Sequence, residues 1–153
     1  MITTNNLLTA TRYTLTITGE GMKDLISSVT IFGHPGVRSK SATQSARKVR
    51  VPRAGSSIEF DPATFTVLLD NRMENYNAIY KWMFNNATSE SEETRDITLT
   101  IYDGTENPRK QIRYLNAIPT DIGTLQFTST DQNDTVISCD ITFEYTHFEL
   151  VDV

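Results

Sequence analysis

The stretch Val136-Ile-Ser-Cys-Asp-Ile-Thr-Phe-Glu-Tyr-Thr-His147 alternates, with Ile137, Cys139, Ile141, Phe143 and Tyr145 on one side and Ser138, Asp140, Thr142, Glu144 and Thr146 on the other. Successive side chains of an extended strand point to opposite faces, so a period of two marks a strand with one buried and one wetted face. Burying each large apolar side chain stabilises by ~1.5–3 kcal/mol, and a slip of one residue would expose them all, so the register is pinned.

Outward from this strand the same period recurs. Tyr13 to Thr18 places Tyr13, Leu15 and Ile17 on one face, Ser28 to Phe32 runs into the turn formers Gly33-His-Pro-Gly36, and Thr64 to Leu69 aligns Phe65, Val67 and Leu69. Lys48 to Val51 alternates briefly, and residues 34 to 46 read as a polar loop. Between the strands the period changes once. Asp70 and Asn71 are N-cap residues, and Met73, Tyr76, Ile79, Tyr80 and Met83 recur at spacings of three and four, which predicts a helix over about 71–86. Thr88 to Glu93 is polar and acidic, with no period to hold it. Ile97 to Tyr102 is the next strand, and Asp103-Gly104 turns it into a hairpin with Lys110 to Leu115. Pro119-Thr-Asp-Ile-Gly123 reads as a corner, Thr124 to Ser129 as a short strand, and Asp131 to Asp134 as the turn before the closing strand. The fold class is therefore mainly β: an antiparallel β-sandwich or partly closed barrel with one flanking α-helix, in a single domain spanning 1–153. A parallel sheet would need repeated helices, which the pattern lacks.

At 153 residues the chain can bury a sizeable core without staples. No apolar run approaches the ~20 residues that cross a bilayer, so no membrane insertion is expected. The first residues show no signal-peptide pattern, which points to folding in a cytoplasm. One cysteine excludes an intrachain disulfide, and two histidines are too few for most zinc sites. The net charge of −5 argues against a basic nucleic-acid binder.

Chemistry-bearing patterns are weak throughout. Gly19-Glu-Gly21 lacks a third glycine and a following helix, so no nucleotide cradle is present. Cys139 and His147 lie four residue steps of ~3.3 Å apart along one strand, too far for direct proton transfer. The acids Glu90, Glu92, Glu93 and Asp96 lack the spacing of a calcium loop. The sequons at Asn86 and Asn133 carry meaning only in a secreted chain. Asp140 and Glu144 share a polar strand face with no pocket implied. No catalytic, cofactor or metal residue is assigned, and no enzyme activity or cofactor is expected.

The distribution of charge is the exception. Arg38, Lys40, Arg47, Lys48, Arg50 and Arg53 crowd into residues 38–53 without an acid among them, whereas Glu90, Glu92, Glu93, Asp96, Asp103 and Glu106 crowd 90–106 against Arg95 alone. Unlike patches on one chain favour head-to-tail association of copies, and chance segregation on solvated loops is the plain alternative.

The strand at Tyr13, the run Pro35-Gly36-Val37, the strand Phe65-Thr-Val-Leu-Leu69, the helix end Tyr80-Lys-Trp82 and above all Pro119-Thr-Asp-Ile-Gly-Thr-Leu-Gln126 before the closing strand together resemble the tail tube proteins of contractile-tailed bacteriophages. The resemblance covers about Tyr13 to Leu150. It implies six-membered rings stacked into a hollow tube inside a contractile sheath, joined to baseplate and neck proteins, assembled in the host cytoplasm and carried in the virion tail, with a lumen that conducts the genome. Type VI secretion tube proteins share that architecture. The basic 38–53 segment departs from the family pattern and keeps open a tube-initiating ring at the baseplate or a terminating ring at the neck. A monomeric ligand-binding β-sandwich is the alternative of another class. On the tube reading, the 34–53 loop is expected to touch an acidic surface of the adjacent ring through Arg38, Lys40, Arg47, Lys48, Arg50 and Arg53. The faces bearing Thr98, Thr100, Ser138, Asp140, Thr142 and Glu144 are expected to line the lumen, because a wall without cations does not retain DNA.

Overall fold

A computed structural model describes residues 8, 12–18, 29–46, 49–55, 57–129 and 136–153, with the backbone alone at 42–46. The described elements are β1 (Tyr13–Ile17), β2 (Val29–Gly33), β3 (Val37–Ser39), β4 (Ala42–Ala46), β5 (Val49–Arg53), β6 (Ile58–Phe60), β7 (Ala63–Leu68), α1 (Glu74–Thr88), β8 (Arg95–Tyr102), β9 (Pro108–Ile122), β10 (Ser138–Glu144) and β11 (His147–Asp152). The run Gly19-Glu-Gly21, the expected turn at Asp131–Asp134, the sequon at Asn133, and Arg47 and Lys48 lie outside the described residues.

Seven strands form one antiparallel sheet in the order β1-β8-β9-β10-β7-β2, with β11 also paired to β9. The apolar side of each alternation is what this sheet buries. Leu15 and Ile17 of β1, Phe65 and Val67 of β7, Ile97 and Leu99 of β8, and Cys139, Ile141 and Phe143 of β10 belong to one core cluster. Because β1 and β7 stand toward opposite ends of the strand order, their meeting in one core requires the sheet to curl over on itself. The mainly β, antiparallel architecture with one helix is as the sequence predicts.

The closing strand is longer than its alternation. β10 and β11 lie along the same edge of β9, with Glu144 opposite Ile118 and His147 opposite Leu115. Between them the Thr146 N–H donates to the Leu115 carbonyl at 2.9 Å. The pleat reverses at this point, so that Tyr145 and Phe148 both turn toward the core. β9 reverses with it: Ile112 and Tyr114 are buried before Asn116, and Ala117 after it.

Three expectations are corrected. Pro119-Thr-Asp-Ile is not a corner but the end of β9, and the chain turns only at Gly123, whose N–H donates to the Asp140 carbonyl at 2.7 Å. A proline is accommodated there because the β9–β10 register shifts between Thr142 and Phe143, a bulge that spares one ladder donor. Thr124–Ser129 forms no strand: the β9–β10 register ends at the Ile122–Ile141 pair, and beyond the Gly123 bond to Asp140 no described strand pairs with it. The supposed polar loop from 34 to 46 contains β3 and β4, which pair with β6 and β5.

The helix begins three residues later than expected, and its inward face keeps Tyr76, Ile79 and Met83 as expected but is rotated toward Asn75 and Trp82 and away from Tyr80. Asp70 still serves its start, accepting the Glu74 N–H at 2.8 Å, while Met73 holds φ at 54°. Asn75, Ile79 and Trp82 are buried, whereas Tyr80 is 49% exposed. Asn75 sets this rotation by donating from Nδ2 to the Leu68 carbonyl at 2.8 Å at the end of β7. Beyond Thr88, Asn86 binds Glu93 twice, accepting its N–H at 2.9 Å and donating to its carbonyl at 3.1 Å.

Candidate assembly surfaces

The first surface is an arm. β3 pairs with β6 and β4 with β5, and neither β4 nor β5 pairs with any other described strand. Between the two ladders Gly55 passes so close to Lys40 that a Cβ there would stand 1.3 Å from the Lys40 carbonyl oxygen, which only a glycine permits. The root of the arm is clamped to the core by two tyrosines. Tyr114 Oη and His34 Nδ1 are 2.6 Å apart, and Tyr145 Oη donates to the Asp61 carbonyl at 3.0 Å. Phe148 fills the space between, with its ring centroid 4.8 Å from His34 and 5.3 Å from Phe60. Desolvation among these rings lowers the His34 pKa, raises that of Tyr114, and pushes Tyr145 up to about 12 with the help of the nearby Asp61 charge.

The four described basic residues of the segment differ in their surroundings. Arg38 is ion-paired with Asp61, and Lys40 with Glu59 at 2.9 Å, so the arm's root neutralises its own charge. Arg50 and Arg53 lie farther out on β5, opposite Ser45 and Ala42. Val37, Val49 and Ile58 are exposed alongside them, an apolar contribution that the charge pattern did not reveal.

The second surface is the polar side of the β10 half of the sheet. Ser138, Asp140 and Glu144 are exposed and Thr142 half-buried. Thr66 donates to Asp140 Oδ1 at 2.6 Å, the Thr64 and Thr142 hydroxyls are 3.1 Å apart, and Thr120 donates to the Thr142 carbonyl at 3.4 Å. Thr64, Thr66 and Thr120 were missed; the outward positions of the Thr64–Leu69 alternation already contained the first two. β2, β7, β10 and residues 118–122 of β9 contain no Lys or Arg. Thr98 and Thr100 lie elsewhere, on β8 opposite Thr16 and Thr14 of β1, with Thr98 also opposite Arg113 of β9. Thr100 is buried. The structure therefore does not bring these two together with the β10 set.

The acidic segment 90–106 also divides. Glu90, Glu92 and Glu93 follow α1, before β8, while Asp103 and Glu106 sit in the hairpin after it, separated by a strand of roughly 25 Å. Glu93 pairs with Arg95 at 3.0 Å, and Arg95 lies 4.7 Å over the Trp82 ring. The hairpin is as expected but its loop is longer than Asp-Gly. Asp103 accepts from the Thr105 hydroxyl and the Thr105 and Asn107 N–H groups and pairs with Arg109, interactions that hold its carboxyl far below the usual range. Cys139 is buried with its thiol pKa raised by desolvation, and its Sγ lies 3.9 Å from the Gly123 carbonyl, the setting of a small core residue.

A third feature is an open groove beside the Ser138 end of β10, between Asp70–Met73 and Gly123–Thr128. Among the described residues no three His, Cys, Asp or Glu side chains converge as metal ligands, and no helix is long and apolar enough to cross a membrane.

No family model matches the chain. In sequence it is 24% identical over 109 residues, 66% of its length, to the tail tube terminator protein of Enterobacteria phage T4, and the match spans 62% of that protein. In structure it superposes with a TM-score of 0.70 at 15% identity on a chain of the anti-feeding prophage tube-terminating cap, covering 100% of this chain and 96% of that one. A chain of the six-fold symmetrised anti-feeding prophage baseplate gives a TM-score of 0.71 at 7% identity, covering 92% and 93%. At such identities the structural likeness is one of fold. The chain has the fold of tail-tube proteins, and the resemblance to the tube proteins of contractile tails that its short motifs suggest is supported by both comparisons.

Proposed function

We propose that this single-domain chain is a structural subunit of a contractile-tail tube, that six copies close into a ring, and that the ring sits at the terminating end of the tube. The observation that carries the reading is the pairing of a tube-type fold with a sequence relative named as a tube terminator. The physical chemistry is compatible with it. Among the described strands β1 and β2 end the sheet order, and strand edges invite pairing with another copy. The cation-free face of β7 and β10 suits a lumen wall, since DNA carries one phosphate charge per ~1.7 Å and a basic wall would retain it. In this reading the ring meets sheath and neck components in the virion tail, assembles in the host cytoplasm, and lets DNA pass without catalysis or cofactor.

The repeating-tube reading uses the same fold and differs in position. Depletion of the chain during phage growth separates the two: a terminating ring predicts tubes of irregular length, whereas a repeating subunit predicts no tubes. Normal tubes of uniform length would contradict both.

A further inference from the structure

We infer that the groove beside the Ser138 end of β10 takes an extended, apolar and basic segment of a non-identical partner chain, an inference that rests on the reading of the chain as a terminating ring. The size of the groove favours a chain segment over a small molecule. It encloses about 1080 Å³, above the roughly 300–1,000 Å³ of small-molecule pockets, and runs between Asp70–Met73 and Gly123–Thr128. One of these walls offers main-chain pairing. The ladder along β10 closes with the bond from the Gly123 N–H to the Asp140 carbonyl, and from Thr124 to Thr128 no backbone group bonds another among the described residues. Free N–H and C=O groups on an open wall are what an added strand engages.

The side chains of the groove define the chemistry of its occupant. Phe127 and Val136 stand on it at 73% and 61% exposure, an apolar surface left in water by the chain itself. Asp70 and Asp140 also line it, and no Lys or Arg does. Each carboxylate accepts a hydrogen bond from within the chain, Asp70 from the Glu74 N–H and Asp140 from the Thr66 hydroxyl, but neither has an ion-pair partner among the described residues; Arg72, between two lining residues, pairs with Glu74 at 4.0 Å instead. A segment that carries Lys or Arg among apolar residues answers both features. A second copy of this chain seated there would extend a stack of rings, whereas a ring that ends a tube needs a surface for something other than itself. Ser138 and Asp140 put the groove at the margin of the face proposed to line the lumen, where such a component would meet the ring.

The test uses the purified full chain and, as probe, an end-capped fluorescent peptide of alternating Val and Lys, with its Val and Glu counterpart as control. Anisotropy should show saturable binding of the basic peptide and none of the acidic one, and amide exchange should slow at residues 124–128. Asp70→Asn combined with Asp140→Asn, whose amide oxygens still accept the bonds from Glu74 and Thr66, should weaken binding roughly tenfold, and so should Phe127→Ala. Binding unchanged in these variants, or slowed exchange at other residues alone, would overturn the inference. Rings or stacks that come apart on Phe127→Ala would also overturn it, since another copy would then fill the groove. Rings seen by electron microscopy without peptide binding would overturn the docking and leave the proposed function standing. Groove-dependent peptide binding by a chain that forms no rings would uphold the docking and overturn the ring.

Discussion

The Asn116 N–H donates to the Asp96 carboxylate at 3.2 Å, and Asn116 holds φ at 54°, the left-handed region. The β8–β9 register shifts between Arg95 and Ile97 at the same level. One carboxylate on β8 thus fixes the place where β9 reverses its pleat, and that reversal lets one long strand bury Tyr114 on one side of the bend and Ala117 on the other.

Asp96→Ala should therefore destabilise the fold by about 1–2 kcal/mol, the cost of a lost charge-assisted hydrogen bond at a strained position. Asn116→Gly should be tolerated, because glycine adopts positive φ freely, while Asn116→Val should cost at least as much as Asp96→Ala. Urea denaturation of the three variants checks the order.

His34 makes the root of the arm sensitive to pH. Its folded-state pKa lies below the ordinary value, so the unfolded chain takes up a proton more readily than the folded one. The associated stability is complete above about pH 6.5 and is lost as the pH falls below it. Thermal unfolding between pH 7.5 and 5 should show this decline, and His34→Gln should flatten it. Tyr114→Phe should loosen the root by about 1 kcal/mol by leaving His34 Nδ1 without its hydroxyl partner.

Gly55→Ala separates the arm from the core. A methyl 1.3 Å from the Lys40 carbonyl cannot fit without rearranging the arm, yet the buried cluster lies elsewhere. The melting temperature should stay within a few degrees of the parent while assembly is lost, as read by sedimentation.

On the β10 half, Thr64→Lys with Thr142→Lys puts two cations on a face that has none. Assembled rings of this variant should retain duplex DNA with a salt dependence steeper than the parent's, because each new phosphate contact releases counterions. A matching variant at Thr98, already beside Arg113, should change DNA retention less.

Where one face of an element is buried, its pattern was legible. β1, β7, β8 and β10 were read from alternation because the core selects every second residue, and the hairpin after Tyr102 from its turn chemistry. β3 and β4 were not; β3 is exposed at each of Val37, Arg38 and Ser39, so burial selects no hydrophobic period there. The helix face was misjudged at Tyr80 because the residue that sets the rotation, Asn75, is polar and satisfied by a β7 carbonyl. Pro119 read as a corner because the bulge that accommodates it, with Thr120 as the extra residue of β9, exists only in the pairing with β10. Of the candidate surfaces, Ser138, Asp140, Thr142 and Glu144 do share one strand, but the neighbouring threonines of β7 and the neutralisation of Arg38 and Lys40 by Glu59 and Asp61 depend on pairing between strands.

Self-assembly into a ring with an open centre is the central claim, and electron microscopy of the purified chain at high concentration tests it most directly. The account predicts closed rings of six copies with a central channel, alone or in short stacks. A homogeneous population of monomers would contradict it.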